Sequence, residues 1–183
     1  VIAERLAGRF LQEGNALLWE PLMYFAIFAD KAIPWLADSM DYTKEDFTEL
    51  TIKLNDAAAW SDGTPVTSAD LVFTFEGQLK NEKLPYHAQF DQYVQEVKAV
   101  DEKTAVITFK IPAPRFAFEV LMLKFDTGIP IVPAHVLSKE ADVNAYQGGL
   151  EMAHSGPYNL VAWDANQKIF DLREDWWAVA AGR

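Results

Sequence analysis

The 183-residue sequence draws on few residue types for chemistry, since it holds no cysteine and three histidines. His87, His135 and His154 lie far apart and make no short ligand pattern, so neither a metal site nor a cofactor is expected. Carboxylates are more plentiful. Asp62, Asp70, Glu76, Asp126 and Glu151 are candidates for a glycosidase, which needs two carboxyl groups about 5 to 9 Å apart. None of them lies in a nucleophile or acid motif, and no G-x-S-x-G elbow offers a serine. Asp164 and Asn166 have the look of a calcium loop, but Ile169 stands at its sixth position, where glycine is required. The sequence therefore reads as a non-enzyme.

The densest constellation, Trp60-Ser61-Asp62-Gly63-Thr64-Pro65-Val66-Thr67-Ser68-Ala69-Asp70, has a structural explanation. Asp62-Gly63 suits a tight turn, because aspartate bonds its own neighbouring backbone and glycine accepts positive φ, and Pro65 fixes the exit. Thr67 has N-cap chemistry, with Asp70 in the reciprocal position of a capping box. A helix over about Ser68 to Lys80 follows, its stripe of Leu71, Val72, Phe75 and Leu79 facing a sheet. Trp60 is expected to be structural.

The elements around this corner read as mixed α/β. Leu50, Ile52 and Leu54 alternate with Thr51 and Lys53, the period of a half-buried strand. The region up to about Phe28 has a helical flavour, with Ile2, Leu6, Phe10 and Leu11 on one face. An acidic, turn-rich stretch runs from Asp41 to Glu49. Leu84 to Phe90 reads as a loop, and Val94–Val100 with Thr104–Ile111 as an antiparallel hairpin closed by Pro112 and Pro114. Short helices are expected over Phe116–Lys124 and Pro133–Lys139, an extended link over Gly128–Pro133, and a second hairpin over Tyr158–Trp163 and Lys168–Arg173.

A formal net charge of −11 and a pI near 4.6 exclude a basic face for nucleic acid or anionic lipid. The apolar run from Leu17 to Ala29 is interrupted by Glu20 and Pro21 and is shorter than the roughly 20 residues a bilayer requires. Val1 to Leu6 has neither an initiator methionine nor the form of a secretory signal, so removal of a leading segment is expected.

Five stretches in order are similar to one family. They are Ile33-Pro34-Trp35-Leu36-Ala37-Asp38-Ser39, Trp60 to Thr74 preceded by Leu50-Thr51-Ile52-Lys53-Leu54, Ile131-Val132-Pro133-Ala134-His135-Val136, Gly156-Pro157-Tyr158-Asn159-Leu160 and Arg173-Glu174-Asp175-Trp176-Trp177. They resemble the family 5 extracellular solute-binding proteins, which serve ABC importers of peptides, oligosaccharides and nickel chelates. The resemblance implies a periplasmic-binding-protein-like lobe fragment in which residues 1–32 begin lobe I, 33–154 form an inserted subdomain, 155–183 return to lobe I, and the second lobe is absent. It also implies a monomer in the periplasm or outside the cell, either free or lipid-anchored, whose partners are a small-molecule solute and a membrane permease.

On the same resemblance, Trp19-Glu20-Pro21-Leu22-Met23-Tyr24 occupies the place of a Tyr-Glu-Gly-Leu-like stretch that lines the family's cleft, with Pro21 where glycine is usual. Trp19, Glu20 and Tyr24 are thus candidate ligand-binding residues. Tyr86, His87 and Phe90 join them as aromatic and polar residues of the expected loop. Aromatic faces suit sugar rings and also apolar peptide side chains. Variants in the Trp60 stretch and in Lys124-Phe125-Asp126-Thr127-Gly128 are similar to the sugar-binding branch, which favours an oligosaccharide over an oligopeptide. A protein-interaction module is the alternative to a transport receptor, with a carboxylate-dependent glycosidase behind it.

Overall fold

The computed structural model describes residues 17–125, 127–140, 150, 152–164 and 166–182. The Ile2 to Leu11 stripe lies outside the described residues. The alternation at Leu50, Ile52 and Leu54 nucleates the largest unit. Strands β3 (Ala37–Tyr42), β4 (Glu49–Leu54), β5 (Val94–Ala99) and β6 (Thr104–Phe109) form an antiparallel sheet in the order β3-β4-β6-β5. Leu50 pairs with Ile107 and Ile52 with Ala105, and all four are fully buried, as a period of two demands of one covered face. Helix α1 (Ser68–Lys80) covers that face, burying Leu71 and Phe75.

The corner before α1 is built as its residue types require. Gly63 takes a φ of +84°, and Thr67 and Asp70 form the capping box. Asp70 does more than cap. One of its oxygens accepts the Thr67 N–H at 2.8 Å and the Trp60 indole N–H at 3.3 Å, while the other accepts the Ala134 N–H at 2.8 Å. A single buried carboxylate therefore ties the turn, the helix start and the short helix α3 (Ala134–Leu137) together.

A second sheet of three strands carries the segment nearest the N-terminus. β1 (Met23–Ala26) pairs antiparallel with β2 (Lys31–Pro34) and parallel with β7 (Met122–Leu123). Here the helical flavour up to Phe28 is corrected: β1 is a strand, followed by one 3-10 turn at Ile27–Ala29. Two flanking partners satisfy its backbone, and that tertiary gain outweighs local preference. Strand β3 arises within a region read as linker and turn. As an edge strand it buries Ala37 and leaves Asp38 and Asp41 exposed, so its sequence shows no clean run.

Two further expectations change. Leu84 to Phe90 is not wholly loop, because helix α2 spans His87–Tyr93. Phe90 and Val94 anchor it in the core, a spacing that Pro85 obscures in the sequence. The helix expected over Phe116–Lys124 is a π-helical turn, Ala117–Leu121, that ends where Met122 joins β1. The hairpin of β8 (Tyr158–Trp163) and β9 (Lys168–Leu172) and helix α4 (Trp177–Ala180) complete the described elements.

Asp70→Ala should strand three N–H donors at once. Each buried donor left without an acceptor costs about 1 to 3 kcal/mol, and shared relaxation holds the sum near 3 kcal/mol. Urea unfolding of the variant should show that loss, and a change below 1 kcal/mol would remove Asp70 from its place as the joint.

Candidate functional site

The segment Leu18 to Met23 is buried, although it carries a glutamate and a tryptophan. The return of the chain at residues 155–157 holds it there. Gly156 donates its N–H to Leu18 O at 2.7 Å, and a Cβ on Gly156 would lie 2.2 Å from Leu17 O, so the close crossing requires glycine. Ser155 Oγ accepts the Glu20 N–H at 3.1 Å.

Glu20 sits at this crossing with 1% of its surface exposed. Oε1 accepts the Trp35 indole N–H at 2.6 Å, and Oε2 accepts the Trp177 indole N–H at 2.7 Å. Around it the rings form a continuous cluster. Trp35 meets Tyr24 edge to face at 5.1 Å and 87°, lies 5.9 Å from Trp176, and lies 6.3 Å from Trp177. Trp176 also donates its indole N–H to Ser155 O at 3.1 Å. Trp177 is buried, while Tyr24, Trp35 and Trp176 are half-buried.

Burial governs the electrostatics. Desolvation pushes the Glu20 carboxyl up to about 7, against the opposing pull of the indole hydrogen bonds. The Tyr24 phenol is likewise raised by burial and then by the nearby Glu20 charge. His154, next in the chain to Ser155, is held down at about 4 by burial and then by the Arg173 charge. Arg173, itself buried, donates to Gly156 O at 2.9 Å and to Asp175 at 3.2 Å.

Of the residues singled out in the sequence, Glu20 and Tyr24 come together, and Trp19 is buried in the same segment at 3% exposure. Tyr86, His87 and Phe90 form a second group, tied to α1 and to Gly128. Tyr86 Oη accepts the Gly128 N–H at 2.6 Å, and His87 Nδ1 donates to Gln78 O at 2.7 Å. Phe90 is fully buried between Phe75 and Phe116, at ring separations of 5.5 and 5.3 Å, so its ring is core and faces no solvent. The sequence reading missed Trp176, Trp177 and Ser155 as neighbours of Glu20. Trp177 is 157 positions from Glu20, and no spacing rule connects them. The usable signal was the abundance of indole in stretches already singled out. Among the described residues no group of three or more potential metal ligands converges, and no helix is long and apolar enough to cross a membrane.

The fold is that of periplasmic binding proteins, as comparison with solved structures shows. The oligopeptide ABC transporter periplasmic binding protein of Thermotoga maritima, solved with bound mannohexaose, superposes with a TM-score of 0.76 at 27% identity, covering 90% of this chain and 29% of that one. The family profile of bacterial extracellular solute-binding proteins, family 5 Middle, matches residues 31–182, and the chain belongs to that family. Protein XP55 of Streptomyces lividans is 31% identical over 169 residues, which are 91% of this chain and 29% of that protein. The periplasmic oligopeptide-binding protein OppA of Escherichia coli K12 is 28% identical over 153 residues, 74% of this chain and 27% of OppA. The chain thus spans less than a third of the relatives it matches.

Two buried titratable groups, Glu20 and His154, pull stability in opposite directions. Glu20 has a folded pKa of about 7, above its ordinary 4.5, so its contribution is full below pH 4.5 and lost as pH rises through 7. His154 has a folded pKa of about 4, below its ordinary 6.5, so its contribution is full above pH 6.5 and lost as pH falls through 4. Each shift corresponds to about 3 kcal/mol. Relative to the parent, Glu20→Gln should therefore gain stability from pH 4.5 to 7, and His154→Gln should lose it from pH 4 to 6.5. Urea denaturation across pH 4 to 8 reads both slopes, and parallel profiles for all three chains would contradict the assignment.

Proposed function

We propose that this chain is part of the substrate-binding component of an ABC importer, capturing an oligosaccharide or oligopeptide outside the cytoplasmic membrane for delivery to a permease. The observation that carries the reading is the half-buried ring surface of Tyr24, Trp35 and Trp176, backed by Trp177 and Glu20. A transport receptor must hold a solute by shape and a few placed groups, and rigid aromatic faces do so at low entropic cost. Stacking on ring faces favours the sugar, in keeping with the mannohexaose held by the Thermotoga protein. The peptide alternative draws support from OppA, a periplasmic oligopeptide-binding protein. Family membership and the relatives' description as binding proteins favour a receptor over an enzyme, and the family's description as extracellular favours a periplasmic or extracellular location.

The proposed organisation assigns residues 1–32 and 155–183 to one lobe and 33–154 to an inserted subdomain. Support comes from the sheet of β3, β4, β5 and β6, which lies with α1 wholly inside 33–154. Strand β7 joins the two by pairing with β1, and the crossing of Gly156 over Leu18 links both outer segments. On this reading Tyr24, Trp35 and Trp176 touch solute, and Trp19 packs behind them. Tyr86 and His87 line the subdomain side.

Tryptophan fluorescence titration tests the reading with mannohexaose, a tetra-alanine peptide and a nickel–histidine chelate as probes. A saturable change with mannohexaose or with the peptide is expected and names the solute class. Trp35→Ala should weaken that response about tenfold, the equivalent of roughly 1.4 kcal/mol of stacking. A response to none of the probes, or one indifferent to Trp35→Ala, would overturn the wall as a solute surface.

A further inference from the structure

Glu20 is the residue a solute amine or hydroxyl would seek, yet the structure gives that solute no access to it. Both carboxylate oxygens are engaged, one by Trp35 and one by Trp177, and the residue is 1% exposed. The donors reach it from opposite ends of the chain, 15 and 157 positions away. An indole ring turns broadly about its outer torsion unless something holds its N–H. Here one carboxylate holds two.

We propose that Glu20 is a positioning residue that contacts no solute and instead fixes, through the Trp35 and Trp177 indole N–H groups, the ring orientations of the wall formed by Tyr24, Trp35 and Trp176. The assignment of that wall to solute capture rests on the function proposed above; the hold of Glu20 on the indoles is a property of the chain itself. Trp35 is the pivotal ring, since it meets Tyr24 at 87°, Trp176 at 38° and Trp177 at 76°. Releasing its N–H frees the plane against which the others are set. Trp177, buried behind it, fixes the far side of the clasp, and Ser155 joins the clasp to the backbone through Glu20 N and the Trp176 indole.

The charged and titratable groups around the clasp leave Glu20 as the one whose proton changes near neutrality. Tyr24 is raised out of range, His154 stays neutral above about pH 4, and Asp38, on the Trp35 segment, is exposed and accepts from Asn55 at 2.8 Å. Arg173 and Asp175 pair with each other at 3.2 Å. A wall held by Glu20 therefore reports the protonation of Glu20, whereas one merely packed beside it does not.

Near-UV circular dichroism of the coupled indoles is the readout, because it needs no solute. In the parent the signal should change between pH 5.5 and 8.5 with a midpoint near 7. Glu20→Gln keeps one acceptor oxygen but turns an amide N–H₂ toward the other indole N–H, so the signal should fall by about half and lose its pH dependence. Mannohexaose binding should weaken about tenfold in the same variant, in line with the loss of a charge-assisted hydrogen bond. A parent signal that is flat in pH, or a Glu20→Gln spectrum like the parent's, would overturn the proposal. So would abolished binding with an unchanged spectrum, the mark of direct contact. Should Glu20→Gln fail to fold, Trp177→Phe removes one donor and keeps a ring in place; the Trp35 signal should then titrate at higher pH, and an unmoved midpoint would again overturn the proposal. A Glu20-dependent signal with no mannohexaose response supports the positioning role and rejects the sugar reading alone.

Discussion

A carboxylate taken out of water at the crossing of four chain segments sets the terms for the rest of the site. Glu20 arrives on the segment leading into β1, and the segments bearing Trp35, Ser155 and Trp177 converge on it. Burying an ionised carboxylate without compensation is expensive, which is why desolvation dominates its raised pKa and why both of its oxygens meet indole N–H donors. The indoles gain as well, since each buried N–H finds an acceptor. The requirement is mutual, and it draws distant parts of the sequence to one point.

The rest of the architecture delivers those partners. Trp35 is placed by the backbone bonds of Trp35 and Ala37 to Leu22 O, by that of Leu36 to Pro21 O, and by the start of β3. Ser155 is placed by Gly156, whose missing Cβ lets the return segment touch Leu17 and Leu18. The Asp70 joint works by the same logic, with a buried acid that gathers three N–H groups from the turn, the cap and α3. Two acids thus carry the long-range connections that apolar burial, being non-directional, leaves unspecified.

The parts legible in the sequence are those with a local cause. The Leu50 to Leu54 alternation, the Thr67–Asp70 cap, the α1 stripe and both hairpins follow from periods and turn chemistry that act within a dozen residues. Strand β1 was misread because its pairing, on one side with β2 and on the other with the far-off β7, decides its conformation. Helix α2 was missed because Pro85 suggests loop while Phe90 and Val94 provide the anchoring. At the site, likeness to a family drew attention to Glu20 and Tyr24, but of the indoles that give them meaning Trp176 and Trp177 were separated from them by most of the chain. Phe90 shows the converse, an aromatic in a loop-like context that the core claims entirely.

Sequence type alone also mistakes what an acid is for. A glutamate near a binding surface reads as a ligand group, because charge is the property that composition records. Geometry adds a second property, the number of donors already satisfied, and in Glu20 both oxygens are committed before any solute arrives. Opposite it in sign stands His154, buried and kept neutral, so that from about pH 4 to 7 neither group favours charge in the folded chain. On the function proposed above, a wall of aromatic rings over a Glu20 and a His154 that both disfavour charge would select by shape and ring stacking. Strongly charged solutes would have to find their counter-charge elsewhere in the protein.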